Sequence, residues 1–187
     1  AIVEGAVVAA ERYNNEILLV GREDVVHLCL KKFGGANHPR IQVVHAEQCV
    51  DMHESPSVAL KQKKESSINI GTSLVKQEKA DAFVSAGNTG AVMASAFFVM
   101  GRLPGVSRPA IAATIPTMKS PCILLDAGAN VDCRPQHLVH FAVMGKVYSE
   151  KVFKSKNAKV GLLSIGEEKT KGNGLTTSTH ELLAKLP

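Results

Sequence analysis

Three short stretches of this chain order small residues, amides, hydroxyls and charges in a way that suits anion binding. Ser85-Ala86-Gly87-Asn88-Thr89-Gly90-Ala91 follows an apolar strand predicted at 82–85 and runs into an apolar helix predicted at 91–100 (AVMASAFFVM). A turn between strand and helix leaves backbone N–H groups unpaired at the helix start. Gly87 and Gly90 carry no Cβ, so an anion can come close to the backbone. Ser85, Asn88 and Thr89 add short donors. Asn88 or Thr89 would equally serve as an ordinary helix N-cap, and the residues alone leave both roles open.

The same order recurs twice. Cys122-Ile123-Leu124-Leu125-Asp126 precedes Ala127-Gly128-Ala129-Asn130-Val131-Asp132, and a run at 160–165 precedes Gly166-Glu167-Glu168-Lys169-Thr170-Lys171-Gly172-Asn173-Gly174. In an open parallel α/β sheet, ligands sit beyond the carboxyl ends of the strands. Three polar loops after three apolar strands are therefore expected to meet at one cleft.

The elements that must position these loops alternate along the chain. Helices are predicted at 1–13, 22–33, from Ser55-Pro56, 67–77, 135–151 and 176–186, with strands at 16–20, 41–45 and 159–165. Residues 108–116 and 121–126 read as two strands joined by a turn at 117–120, so one edge of the sheet is expected to be antiparallel. The pattern predicts a doubly wound, mostly parallel sheet in a single α/β domain over residues 1–187. The chain opens on a helix with no strand to feed it and stops just after a helix, which leads us to expect a piece of a longer protein.

Composition fits a globular domain: 187 residues, 45% hydrophobic and 21% charged. Aromatics make up 4% and Trp is absent, which argues against a base-stacking platform, and no nucleic-acid partner is expected. The net charge of +5 suits an acidic or phosphorylated partner as well as a merely solvated surface. The four cysteines show no Cys-x-x-Cys spacing, and a reducing cytosol is their natural setting. His137 and His140 are spaced to share a helix face, but no His-Glu-x-x-His pattern accompanies them and no metal is expected. The longest apolar stretch is about half the ~20 residues that a spanning helix needs. Lys61, Lys63 and Lys64 form a short basic cluster, either a wet helix face or a dock for an acidic protein.

Taken together, Ser85-Ala86-Gly87-Asn88-Thr89-Gly90-Ala91, Arg108-Pro109-Ala110-Ile111-Ala112, Leu125-Asp126-Ala127-Gly128-Ala129-Asn130-Val131-Asp132-Cys133, Ile165-Gly166-Glu167-Glu168 and Lys171-Gly172-Asn173 resemble the bacterial phosphate acyltransferase family, PlsX. The similarity runs over essentially the whole chain, including Ile2-Val3-Glu4-Gly5-Ala6 and Ser55-Pro56. It implies a three-layer α/β/α fold like those of isopropylmalate dehydrogenase and phosphotransacetylase. It implies transfer of a long-chain acyl group from acyl-carrier protein to inorganic phosphate, giving acyl phosphate for phospholipid synthesis, with no cofactor. A homodimer in the cytoplasm, loosely associated with the membrane, and a downstream membrane glycerol-3-phosphate acyltransferase are implied as well. The family's Asp-Ala-Met-Gly-Gly-Asp segment before the first helix, and its second half, have no counterpart here.

Phosphate is itself the nucleophile in such a reaction, so no Ser-His or Cys-His pair is required. By resemblance, Lys171, Asn88 and Asp126 are the candidate catalytic residues. Ser85, Gly87, Asn88, Thr89, Gly90, Asn130, Asp132, Gly166, Glu167 and Asn173 are candidates for holding phosphate and substrate, and Lys61, Lys63 and Lys64 for docking the acidic carrier protein. Asp126 and Asp132 would repel phosphate directly, so they are expected to orient donors or Lys171. Lys169, the other cation of its loop, has no match in the family pattern. Two other readings are a non-catalytic phosphate- or acyl-binding module and a dehydrogenase of related fold. The latter would want a Gly-x-Gly-x-x-Gly run that this chain lacks.

Overall fold

A computed structural model describes residues 1–168 and 171–186. They form two compact units, one over residues 1–101 and one from residue 102 onward. In the first unit, α1 (Ile2–Tyr13), β1 (Ile17–Gly21), α2 (Glu23–Lys32) and β2 (Ile41–His45) make a β–α–β crossover with α1 packed beside it. The strands pair in parallel, Ile17 opposite Ile41 through Gly21 opposite His45. Parallel strands need a long crossover, which α2 supplies. Apolar residues recur at helical spacing on α1 and α2, so Val7, Val26 and Leu30 close over Leu19 as one core. The Arg40 guanidinium donates to Asn14 Oδ1 and to the Ala10 carbonyl, tying the end of α1 to the entry of β2.

A second core in the same unit gathers Val50, Ala59, Ile68 and Ala91 from α3 (Pro56–Gln62), α4 (Ser67–Lys76), α5 (Thr89–Ser95) and the segment before α3. Pro56 opens α3 at its first turn, where its missing N–H costs nothing. Ser66 caps α4, its Oγ accepting from Asn69 N–H. Through the middle runs a buried polar chain. Ser95 Oγ donates to Asn69 Oδ1 at 2.7 Å and contacts Thr72 Oγ1 at 2.7 Å.

The stretch expected as a strand at 82–85 is not one. Phe83 packs on the second core, but Val84 is 92% exposed and no ladder partner lies beside it among the described residues. An apolar run becomes a strand only when a neighbour takes its backbone hydrogen bonds. The helix expected at 91–100 begins two residues earlier and widens into a π-helical turn at Ala96–Met100.

In the second unit, β3 (Ala113–Ile115) and β4 (Cys122–Leu124) form an antiparallel pair, followed by α6 (Pro135–Val152) and α7 (Gly174–Leu183). Thr117 Oγ1 closes the connecting turn, donating to the Ser120 carbonyl and accepting from the N–H groups of Lys119 and Ser120. The strands expected at 108–116 and 121–126 shorten to these three-residue cores. The helix expected at 176–186 starts and ends earlier, as α7. The strand expected at 159–165 is not formed: Leu163 and Ile165 are more than 80% exposed, again without a ladder partner among the described residues. The architecture is α/β, as the alternating pattern predicts; among the described residues its strands form one parallel pair and one antiparallel pair, each a two-stranded sheet. No helix among the described residues is long and apolar enough to cross a membrane.

Candidate functional site

Asn88 is the N-cap of α5, its Oδ1 accepting from Ala91 N–H at 3.2 Å. Its Nδ2 donates into the carbonyls of Asp51, Met52 and Glu54 at 3.2, 3.1 and 3.0 Å. The side chain is only 8% exposed, and both ends of its amide are used. Of the two roles open to Asn88, the geometry gives the cap, and the side chain keeps no donor for an anion. The glycines beside it are accounted for by packing. Gly87 has φ +122°, a conformation that L side chains rarely adopt, and a Cβ on Gly90 would stand 2.6 Å from Pro56 Cγ. Sequence reasoning missed that the segment 51–56 fills the space these glycines leave. The signal available was Pro56 itself, a rigid ring at the start of α3.

What stays open in this loop is Ser85, Thr89 and two backbone donors. Ser85 Oγ closes a small turn with Gly87, accepting from its N–H and donating to its carbonyl, both at 3.2 Å. Thr89 is exposed, and among the described residues no acceptor meets the N–H of Thr89 or Gly90.

Within the second unit, Asp126 organises its own loop. Its carboxylate accepts from Ile111 N–H at 2.7 Å, from Asn130 N–H at 2.6 Å and from Asn130 Nδ2 at 3.2 Å. Asn130 Nδ2 also donates to the Pro109 carbonyl at 2.9 Å, and Ala127 N–H to the Ile111 carbonyl at 2.9 Å. Burial pushes the Asp126 carboxyl upward. The N–H donors of Ile111, Asn130 and Ala129, with the Asn130 amide, outweigh it and hold the group below the ordinary carboxylate range. Asp126 is thus a carboxylate at neutral pH that fixes the 109–111 and 126–130 segments against each other. Asp132 is exposed, and only its carbonyl is engaged, by Arg108 Nη1 at 2.8 Å.

In the 166–174 loop, Asn173 caps α7, accepting from Thr176 N–H at 3.0 Å while Thr176 Oγ1 accepts from Asn173 N–H at 2.9 Å. Gly172 has φ +106°, and a Cβ there would stand 2.2 Å from Thr176 Oγ1. Lys171 N–H donates to the Glu168 carbonyl at 2.9 Å, and the side chain lies alongside Gly166. Glu167 and Lys171 are exposed, and no carboxylate lies within ion-pair reach of Lys171 among the described residues. Lys169 and Thr170 lie outside the described residues. The 85–90 loop belongs to the first unit and the 126–132 and 166–173 loops to the second.

The basic cluster divides. Lys63 Nζ pairs with Glu54 at 2.7 Å and donates to the Cys49 carbonyl at 2.7 Å. That hydrogen bond raises the Lys63 pKa and lowers that of Glu54. Lys63 is thus engaged by Glu54, while Lys61 and Lys64 stand exposed. No group of three metal-binding side chains occurs among the described residues.

Comparison with known proteins places these loops in context. The chain is similar to the "Phosphate acyltransferase" of Koribacter versatilis, 48% identical over 99% of this chain and 53% of that protein. It is 50% identical to the protein of the same name from Trichodesmium erythraeum, over 97% of this chain and 54% of the relative. The Dictyoglomus turgidum phosphate acyltransferase is 48% identical over 99% of this chain and 55% of its own length. The chain thus spans about half the length of the curated relatives it matches. A family model described as "Fatty acid synthesis protein" matches residues 1–187 from end to end, and the chain belongs to that family.

Proposed function

We propose that this chain is part of an enzyme that transfers a long-chain acyl group from acyl-carrier protein to inorganic phosphate, supplying acyl phosphate for phospholipid synthesis. The observation that carries the reading is 48–50% identity to phosphate acyltransferases over nearly the whole chain. In such a transfer a phosphate oxygen attacks the thioester carbonyl. A tetrahedral oxyanion forms and collapses, and the carrier's sulfur leaves as thiolate. That leaving group needs little acid assistance if its pKa is near the ~8.5 of cysteine. The site must mainly orient its reactants and neutralise charge, and orientation alone is worth roughly 7–11 kcal/mol.

Lys171, a cation without a carboxylate partner among the described residues, is assigned to the oxyanion or the phosphate charge. The open N–H groups of Thr89 and Gly90, with Ser85, are assigned to anion binding. Glu167 and Asp132, both exposed, are assigned to positioning donors, and Gly166 to close backbone approach. Asp126 acts through Asn130, and Asn88, Gly87 and Asn173 act by holding loop shape. Lys61 and Lys64 are the exposed cations for an acidic carrier protein. We further assign the complete protein to a three-layer α/β/α fold and to a cytoplasmic homodimer touching the membrane. Its product would pass to a membrane glycerol-3-phosphate acyltransferase.

The test is phosphate-dependent loss of the acyl-carrier-protein thioester by the full-length enzyme and its Lys171→Met variant. Removing an oxyanion-stabilising charge should lower kcat/KM for phosphate by about 10²–10³, while Lys169→Met leaves it nearly unchanged. A folded Lys171→Met enzyme within about threefold of wild type, where one lost donor should cost at least a hundredfold, would remove Lys171 from the chemistry. Thioester loss that ignores phosphate would remove the acyl-transfer reading itself.

A further inference from the structure

We propose that Lys63 is a positioning residue: it holds the 85–90 loop in the shape that binds the anion, without touching the substrate itself. That the anion is phosphate rests on the acyl-transfer reading. The amide of Asn88 cannot hold its partners alone. Its Nδ2 carries two protons, yet the carbonyl oxygens of Asp51, Met52 and Glu54 all converge on it, at 3.2, 3.1 and 3.0 Å. Oxygens of like partial charge gathered at one point repel one another, so the 51–54 turn needs a second restraint.

Glu54 and Lys63 supply it. Glu54 Oε2 accepts from Asp51 N–H at 2.8 Å, and Glu54 N–H donates to the Asp51 carbonyl at 3.2 Å, which closes the turn on itself. Lys63 Nζ donates to the same Oε2 and to the Cys49 carbonyl, both at 2.7 Å, so one ammonium fastens the segment before and after the turn. The two side chains are 27% and 28% exposed, and solvent screens them less than a fully exposed pair. The Lys63 carbonyl reaches the other end of the same helix. It accepts from Asn69 Nδ2 at 3.0 Å, and Asn69 Oδ1 accepts at 2.7 Å from Ser95 Oγ, on the last residue of α5. Asn88 begins that helix as its N-cap. Both ends of α5 are therefore tied back to one residue, by its ammonium at the start and its carbonyl at the finish. Met52 and Pro56 also lie so close over Gly87 and Gly90 that a Cβ there would stand 2.9 and 2.6 Å from them. A shift of the 51–56 segment thus reaches the open N–H groups of Thr89 and Gly90 directly.

The test uses the full-length enzyme and reads two quantities together: hydrogen exchange at the Ala91 amide, and KM for phosphate against KM for the acyl-carrier-protein thioester. Lys63→Met should speed Ala91 exchange and raise KM for phosphate, each about tenfold, the worth of one charge-assisted hydrogen bond. Both kcat and KM for the thioester should stay close to wild type, since the reacting groups are untouched. Lys63→Arg, which keeps the charge and the donors, should restore most of the loss. Glu54→Gln, which keeps an oxygen for the Asp51 amide, should act in the same direction as Lys63→Met, and it serves as the test if Lys63→Met does not fold. Unchanged Ala91 protection in Lys63→Met overturns the positioning role. So does a KM rise confined to the thioester and steepest at low salt, which would make Lys63 a docking residue. Faster Ala91 exchange with an unchanged phosphate KM would take phosphate from this loop and overturn the proposal by that route. Thioester loss that ignores phosphate in the wild-type enzyme would remove the acyl-transfer reading instead, and Ala91 exchange would still decide whether Lys63 holds the loop.

Discussion

Asn88 and Asp126 perform the same task with opposite polarity. Asn88 uses an amide to gather the carbonyls of Asp51, Met52 and Glu54, and its oxygen to cap α5. Asp126 uses a carboxylate to gather the N–H groups of Ile111 and Asn130. Each loop follows a short apolar run, and each is shaped by one side chain spanning a long sequence separation. The chemistry of the crossing segment chooses the residue: carbonyls need a donor, and N–H groups need an acceptor. The neutral clamp is indifferent to pH, and the charged one is not.

The most damaging exchange should be Asn88→Asp. It turns a carboxylate toward three carbonyl oxygens at a nearly buried position, costing about 3–5 kcal/mol unless the group takes up a proton. Amide hydrogen exchange in residues 51–56 and 88–92 should accelerate with it. A loss below about 1 kcal/mol, the worth of one ordinary hydrogen bond, would mean the amide clamp does not hold the loop.

Asp126→Asn, the reverse exchange, should be milder. Asparagine keeps one acceptor for Ile111 or Asn130 but faces the other with an NH₂ group, costing about 1–3 kcal/mol. Faster exchange at the Ile111 and Asn130 amides is the direct readout, and unchanged protection there would end the parallel with Asn88.

The smallest effect separates the clamps by pH. The Asp126 pKa is depressed in the folded chain, so its contribution is fully present above the unfolded value of about 3.9 and is lost as pH falls through the lower native value. Acid should therefore release the Ile111 and Asn130 amides in wild type while leaving Ala91 protected. In Asp126→Asn that acid step should vanish. Simultaneous loss at Ala91 and Ile111 would show that the charge on Asp126 makes no difference.

Much of the local structure was legible because its causes are local. Helical apolar spacing marked α1 and α2, the Ser55-Pro56 pair marked α3, and the polar Thr117–Ser120 turn marked the hairpin of β3 and β4. Strands were less legible, because an apolar run does not carry its partner. Residues 82–85 and 159–165 read the same as 16–20 and 41–45, yet only the latter two found each other, as β1 and β2. Among the candidate residues, glycines that suit an anion and glycines that admit Pro56 look identical in one dimension.

The sequence by itself determined the family, the order of helices and turns, and which residue types stand in each polar loop, since these depend on neighbours within a few positions. Only the tertiary structure decided that Asn88 caps and clamps, that Asp126 gathers amides, that Lys63 pairs with Glu54, and that His140 meets Ser107. Each of those outcomes depends on a group distant in sequence, at separations of 34, 15, 9 and 33 residues. Hydrogen bonds and charges act over a few ångströms, and folding alone brings such groups within reach.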